Sequence, residues 1–209
     1  MATFLRPLSY QYQWLYDGIS RVAALTVGGE RRFRNLALQG LTLSRDAQIL
    51  DLCCGSGQTT QFLVNYADYV TGLDASSRSI QRAQSNVPQA KFVQGWAEEM
   101  PLPDASFDLV HTSAAMHEMQ IDQRIAIFKE AFRVLKPGGT FAMVDFHKPT
   151  NPLFWPGLAT FFWLFETETS WQMLNLNLST VLSEVGFQIV NHNLHAGGSL
   201  QVMQAQKPE

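Results

Sequence analysis

Cysteine is scarce in these 209 residues: there are two, and they are adjacent, Cys53 and Cys54. Neighbouring thiols seldom meet disulfide geometry, which needs Cα atoms roughly 4.4–6.8 Å apart with suitably aimed Cβ vectors. They also lack the spacing of zinc ligands. A disulfide framework is thereby excluded, no metal site is expected, and a reducing, cytoplasmic setting is the expectation. Charge is thin as well, at 16% of residues, and 15 Lys+Arg against 18 Asp+Glu leave a net charge of −3. Without a basic excess, a protein that tracks nucleic-acid phosphates is disfavoured. The one basic cluster, Glu30 followed by Arg31, Arg32 and Arg34, reads as a solvated helix face.

Long apolar runs are missing too. Crossing about 30 Å of hydrocarbon takes roughly 20 residues, whereas the greasiest stretch, LFWPGLATFFWLF, has 13. The first ten residues hold no apolar core of a secretory signal. No fixed-period repeat and no low-complexity linker divides the chain, whose length suits one substantial core.

What is present is alternation. Short apolar runs at residues 47–52, 69–74, 90–94, 107–112 and 140–145 read as strands. Helix-like stretches at 58–66, 77–86 and 123–135 separate them, the pattern of a parallel sheet with crossover helices. The helix at 123–135 carries an apolar stripe of Ile125, Phe128, Ala131, Phe132 and Leu135, and Lys136-Pro137-Gly138-Gly139 reads as its stop signal. A late helix over 176–185 closes on Gly186. Two strands, 187–194 and 199–206, then flank His195-Ala196-Gly197-Gly198 and place an antiparallel strand in the sheet. The expectation is a Rossmann-like three-layer α/β sandwich with a seven-stranded, mostly parallel sheet. Residues 1–43 read as a helical, amphipathic N-terminal lid, and 44–209 as one globular unit.

Two features carry chemistry. Residues 49–60, ILDLCCGSGQTT, run a strand into a glycine-containing turn and then a helix, so a cofactor can approach the backbone closely. Amide groups at the helix start suit a carboxylate or other anion. The dinucleotide pattern G-x-G-x-x-G is not met, because Thr60 stands where its third glycine would fall; a dehydrogenase is disfavoured. Asp74 closes the second strand 17 residues after Gly57. An acidic side chain at that place accepts from ribose hydroxyls, with capping of the next helix as the alternative.

In that order, ILDLCCGSGQTT, VTGLDAS, FVQGWAEEMPLPDASFDLVHTSAAMHEM and EAFRVLKPGGTFAMVDF resemble the class I S-adenosylmethionine (SAM)-dependent methyltransferases, over about residues 45–206. Within them the chain looks most like the ubiquinone and menaquinone C-methyltransferases. Tyr16-Asp17, the segment from Gly28 to Arg34 and the C-terminal Leu200-Gln201-Val202-Met203-Gln204-Ala205-Gln206-Lys207-Pro208 carry that nearer likeness. The resemblance implies SAM as cofactor, held by Tyr16, Asp51, Cys53, Cys54, Gly55, Gly57, Asp74, Ala75, Trp96, Ala97 and Ser113. Asp51 and the glycines would shape the turn beneath the methionine part, Asp74 would hold the ribose, and Ala75 would lie against adenine. Trp96 stands where the family usually has an acidic residue. Its indole donates only, which leaves stacking on the purine, or Glu98 as the acceptor for the adenine amino group.

His117-Glu118 replaces the Arg-Asn common in the quinone enzymes, at the spot facing the transferred methyl. His117, with Glu118 and then His147 beyond the fifth strand, are the candidate catalytic residues, a histidine being suited to take a hydroxyl proton near neutral pH. The alternative for His117 is a structural polar residue; His111 reads as structural inside a strand. Residues 153–165 read either as a core helix or dimer contact, or as a hydrophobic wall for a prenyl-type tail with peripheral membrane contact. The implied activity is methylation of a lipophilic aromatic small molecule, possible targets being a demethylated prenyl quinol or another small metabolite. A SAM-binding protein without catalysis is the reading of a different class.

Overall fold

In the computed structural model, which describes residues 24–25 and 27–209, seven strands form one sheet in the order β3-β2-β1-β4-β5-β7-β6. They are β1 (Gln48–Leu52), β2 (Tyr69–Asp74), β3 (Lys91–Gln94), β4 (Phe107–Ser113), β5 (Leu135–Phe146), β6 (Gln188–His195) and β7 (Leu200–Gln206). All pairings are parallel except those of β7, which runs antiparallel to both β5 and β6. The expected architecture is thus observed, and the C-terminal hairpin supplies the single reversed strand.

The central strands are apolar on both sides because both faces are covered. Leu50, Leu52, Val110, Phe141 and Met143 pack on one face with α4 (Ile121–Val134) and α7 (Leu178–Val185). Ile49, Leu109, Ala142 and Val144 pack on the other with Val70, Leu63 and Leu36. This is the two-residue alternation of a strand applied to a core on each side. Between β1 and β3 lie α2 (Thr60–Leu63) and α3 (Ser77–Asn86), the latter capped by Ser76, whose hydroxyl accepts from Ser79 N at 3.2 Å. Asn177 caps α7 in the same way, and Gly186 ends it in the left-handed region at φ 117°.

Several sequence boundaries moved. The first-loop helix is shorter than expected, since residues 55–59 are turns rather than helix. On α4 the deepest residues are Ile127, Phe128, Ala131 and Val134, whereas Ile125 and Phe132 are half-buried. Lys136-Pro137-Gly138-Gly139 does not stand between helix and strand but inside β5. The chain is already extended at Leu135, which pairs with Phe107, and pairing resumes only at Thr140 with Leu109. The proline disfavours helical backbone at Lys136 before it, and Gly138, at φ 74°, takes up the surplus residues in a bulge. Lys136 Nζ reaches both oxygens of Asp108 at 2.8 Å across it.

Of residues 1–43, the described part includes α1 (Glu30–Asn35) and a 3₁₀ turn, Leu36–Leu38, whose three side chains are buried. Gln204 ties this turn to β7, donating through Nε2 to Ala37 O at 2.9 Å and Gln39 O at 2.8 Å. Here the segment is part of the sheet's cover. The remainder of the expected lid, including Tyr16, lies outside the described residues.

Candidate functional site

The strand order reverses between β1 and β4, and the crevice outside their carboxyl ends is where open α/β sheets take ligands. A cleft of about 390 Å³ occupies that place, within the range of small-molecule sites. It is lined by Asp51, Cys53, Cys54 and Gly55 from the first loop, Asp74 and Ala75 from the second strand end, Trp96 and Ala97 after β3, and Ser113 and Glu118 after β4. Ten residues expected from sequence therefore meet in one cleft, although they come from four separate segments.

The first loop is built for close approach. Cys53 and Gly55 both adopt positive φ, 57° and 55°, a conformation in which a non-glycine residue is held at a cost of roughly 1–2 kcal/mol. Gly57, at φ 83°, does not line the cleft but lies under the turn, where an added Cβ would stand 3.1 Å from Val87 Cγ2. Gly57→Ala is expected to destabilise the fold by about 1–2 kcal/mol through the same backbone strain, visible as a lowered urea midpoint at unchanged slope.

Asp51 sits beneath the loop, accepting from Thr60 Oγ1 at 2.6 Å and lying 3.4 Å from His111 Nδ1. His111 is fully buried within β4, as expected of a structural residue. Asp74 braces the loop from the other side: its Oδ2 accepts from Gly55 N and its Oδ1 from Ser76 N, both at 2.9 Å. Each carboxylate oxygen has two lone-pair directions, so both retain one for a ligand hydroxyl. Ser113 Oγ is buried at the cleft without a hydrogen-bond partner among the described residues. Such a group is costly unless something satisfies it, and an adenosyl cofactor offers donors and acceptors to do so. Trp96 lies at the rim, 69% exposed and flat enough for a purine to stack on. Gln123 Nε2 donates to Glu98 Oε1 at 2.8 Å and orients that carboxylate at the same rim.

Both thiols are pushed far up from their ordinary range, first by burial and then by nearby carboxylates, chiefly Asp74 for Cys53 and Asp51 for Cys54. They are neutral thiols that shape the cleft, not nucleophiles. Among the described residues no cluster of metal ligands exists.

The candidate catalytic residues separate. Glu118 lines the cleft, and His117 does not, although it is the preceding residue. His117 is 3% exposed on the 3₁₀ turn Met116–Glu118. Its Nδ1 lies 2.6 Å from Asp145 Oδ1 and its Nε2 3.5 Å from Glu166 Oε2. Burial alone would lower its pKa, but the carboxylates of Asp145 and Glu166 overcome this and hold it well above the ordinary 6.5. An imidazole kept protonated by two buried carboxylates is not poised to accept a substrate proton near pH 7. His147 is also away from the cleft, with its Nδ1 2.9 Å from Gly198 O and its ring beside His192.

The basic cluster is not solvated along its whole length. Arg31 and Arg32 are exposed, but Arg34 is buried and lines the cleft. Its Nη2 donates to Gln58 Oε1 at 2.6 Å and its Nη1 to Thr59 Oγ1 at 3.4 Å, at the start of α2. A six-residue helix is too short for periodicity to mark which arginine turns inward.

Comparisons with known proteins agree with this geometry. A methyltransferase-domain family model matches residues 49–139. An uncharacterised methyltransferase of Synechocystis sp. is 54% identical over 98% of this chain and 97% of its own length. A demethylmenaquinone methyltransferase of Listeria monocytogenes is 26% identical over 88% of this chain and 87% of its own. A SAM-dependent methyltransferase from Methanosarcina mazei superposes with a TM-score of 0.62 at 26% identity, over 80% of this chain and 95% of that one. With the strand order, the glycine turn and the acidic end of β2 in place, the chain belongs to the class I SAM-dependent methyltransferases, with SAM as its cofactor.

Proposed function

We propose that this methyltransferase acts on a lipophilic aromatic small molecule, with C-methylation of a demethylated prenyl quinol as the leading candidate. The observation that carries this reading is a cluster of aromatic rings packed on His117, the residue before cleft-lining Glu118. Helix α5 (Trp155–Phe165) follows β5 and sets Phe161 and Phe162 with ring centroids 5.7 and 5.0 Å from Phe146, which itself packs 4.6 Å from His117. Trp171 closes on Phe162 at 5.3 Å. Rings in such number suit an apolar, aromatic acceptor. The distant likeness to demethylmenaquinone methyltransferases points the same way. Leu153 and Trp163, 84% and 63% exposed, support peripheral contact with a lipid surface; no helix among the described residues is long and apolar enough to cross a membrane.

SAM supplies an electrophilic methyl group on a sulfonium centre. In this reading the chain's own residues do the rest by placement, which is the larger part of catalysis when the leaving group is good. Asp74 holds the ribose, Trp96 stacks on adenine with Ala75 and Ala97 beneath, and Glu98 accepts from the adenine amino group. Asp51, the Cys53–Gly57 turn, Arg34 and Thr59 hold the methionine end, while Ser113 and Glu118 face the transferred group. Trp96→Ala is expected to weaken S-adenosylhomocysteine binding about tenfold, the scale of one lost stacking contact, and to remove most of the tryptophan quenching on titration.

The substrate reading is tested with methyl-labelled SAM and cell extract partitioned into lipid and aqueous fractions. Label should enter the lipid fraction as a quinone-type product. Label confined to the aqueous fraction would replace the acceptor while leaving the cofactor assignment intact.

A further inference from the structure

Behind the cleft lies a buried group of charges that the cofactor reading does not use. His117, Arg124, Asp145 and Glu166 are each at most 9% exposed, and they come from the turn after β4, from α4, from the end of β5 and from the C-terminal cap of α5. Asp145 is saturated with donors. Its Oδ2 accepts from Met116 N at 2.8 Å and His117 N at 3.2 Å, and its Oδ1 accepts from Phe146 N at 2.7 Å besides facing His117 Nδ1. With that carboxylate at Nδ1, this nitrogen carries a proton, and the carboxylate at Nε2 favours a second one there. Arg124 donates to Met116 O at 2.7 Å, to His117 O at 3.4 Å and to Thr169 O at 2.8 Å. Two cations and two anions thus share a dry site, where an unpaired charge is strongly disfavoured.

The same group joins two parts of the structure. On one side are Ala115, Glu118 and Met119, which line the cofactor cleft. On the other is the corner between α5 and α6 (Glu168–Met173). There Ser170 Oγ donates to Glu166 Oε2 at 2.9 Å and lies 3.3 Å from His117 O, and Thr169 Oγ1 donates to Glu118 O at 3.2 Å. Among the described residues, the His117–Glu166 pair joins corner and cleft wall through a contact that depends on the protonation of a histidine.

We propose that His117 is a positioning residue whose imidazolium latches the α5–α6 corner to the wall of the cofactor cleft, so that cofactor affinity follows the charge on that ring. The sign is fixed by linkage. A cation stabilised in the closed form holds the latch below its raised pKa and releases it as pH rises through that value. Among the described residues, Asp145 and Glu166 are the charged groups facing the ring, and Arg124 donates to the backbone oxygen of His117. Removing the charge of Glu166 lowers the pH of release but leaves an amide oxygen to accept from Nε2–H, so the fold is retained.

The test is S-adenosylhomocysteine affinity by calorimetry from about pH 6 to pH 9, in the wild type and in Glu166→Gln. It is paired with ¹⁵N spectra of the histidine rings, assigned through His117→Gln. The wild type should bind evenly to about pH 8 with both His117 nitrogens protonated. Glu166→Gln should match it near pH 6 and lose affinity at a lower pH than the wild type, binding several-fold more weakly at the alkaline end of the range, because a neutral partner at Nε2 lowers the pH at which the ring gives up its proton. Superimposable pH profiles for the two proteins, or a neutral His117 ring in the wild type at pH 7, would overturn the proposal. Because the probe is the cofactor product, this outcome is independent of which acceptor is methylated.

Discussion

Replacing Asp74 with alanine is expected to weaken S-adenosylhomocysteine binding by two to three orders of magnitude. A hydrogen bond to a charged group contributes about 1.5–3 kcal/mol, and two ribose hydroxyls on one carboxylate give about 3–4 kcal/mol, or roughly 100- to 1,000-fold. A second effect adds to the first. Asp74 accepts from Gly55 N and Ser76 N, so its loss also frees the turn it braces. Asp74→Asn separates the two contributions: it keeps one acceptor and the shape while losing the charge, and its affinity should fall between wild type and alanine. The side chain is half-buried at the cleft rather than in the core, so the melting temperature should stay within a few degrees. Equal affinity in wild type and Asp74→Ala would remove the ribose role altogether.

The largest effect on stability is expected at Asp145. Asp145→Ala leaves Met116 N, His117 N and Phe146 N without their acceptor and strands the His117 and Arg124 cations in a dry site. Breaking a buried charge network from one side costs about 3–5 kcal/mol. For a chain of this size that corresponds to a melting temperature lower by roughly 10 °C. Chemical denaturation should show the loss as a shifted midpoint at constant slope. The network also gives stability a pH dependence. Since the pKa of folded His117 is raised, its contribution is complete below the unfolded value near 6.5 and is lost as pH rises through the folded value. Asp145→Ala should therefore flatten the alkaline limb of the wild-type stability curve. A melting temperature within 2 °C of wild type would show that the four charges contribute little.

Much of the site is legible in the sequence because it is assembled from strand ends. A strand that must be buried on both faces has few acceptable sequences, and the turn beyond it is marked by residues tolerating positive φ. Asp51, Gly55 and Asp74 stand out for that reason, and β2 and α3 begin and end where propensity and capping place them. The breaker run Lys136-Pro137-Gly138-Gly139 shows the limit of such local signals. Proline and glycine announce an interruption, but whether it falls between elements or as a bulge within one depends on the pairing of β5 with β4.

Side-chain roles were legible only where position implies chemistry. His117 carries the residue type of a general base, and the sequence places it beside the methyl-facing segment. What makes it a buried cation is Asp145, 28 residues away, and Glu166 on another element. Arg34 is one of three arginines in a row of five residues, and only docking of α1 against the start of α2 distinguishes it from its exposed neighbours.

The four motifs in order carry the resemblance to the SAM methyltransferases, and the sequence by itself determined the α/β sheet and the glycine turn with its acidic partner at the end of β2. These follow from backbone geometry and alternation, which are local. Only the tertiary structure decided that His117 is held charged behind the cleft, that Arg34 turns into it, and that the aromatic helix packs on Phe146 at the end of β5. Charge state and burial are set by groups distant along the chain, through fields and contacts that act across space.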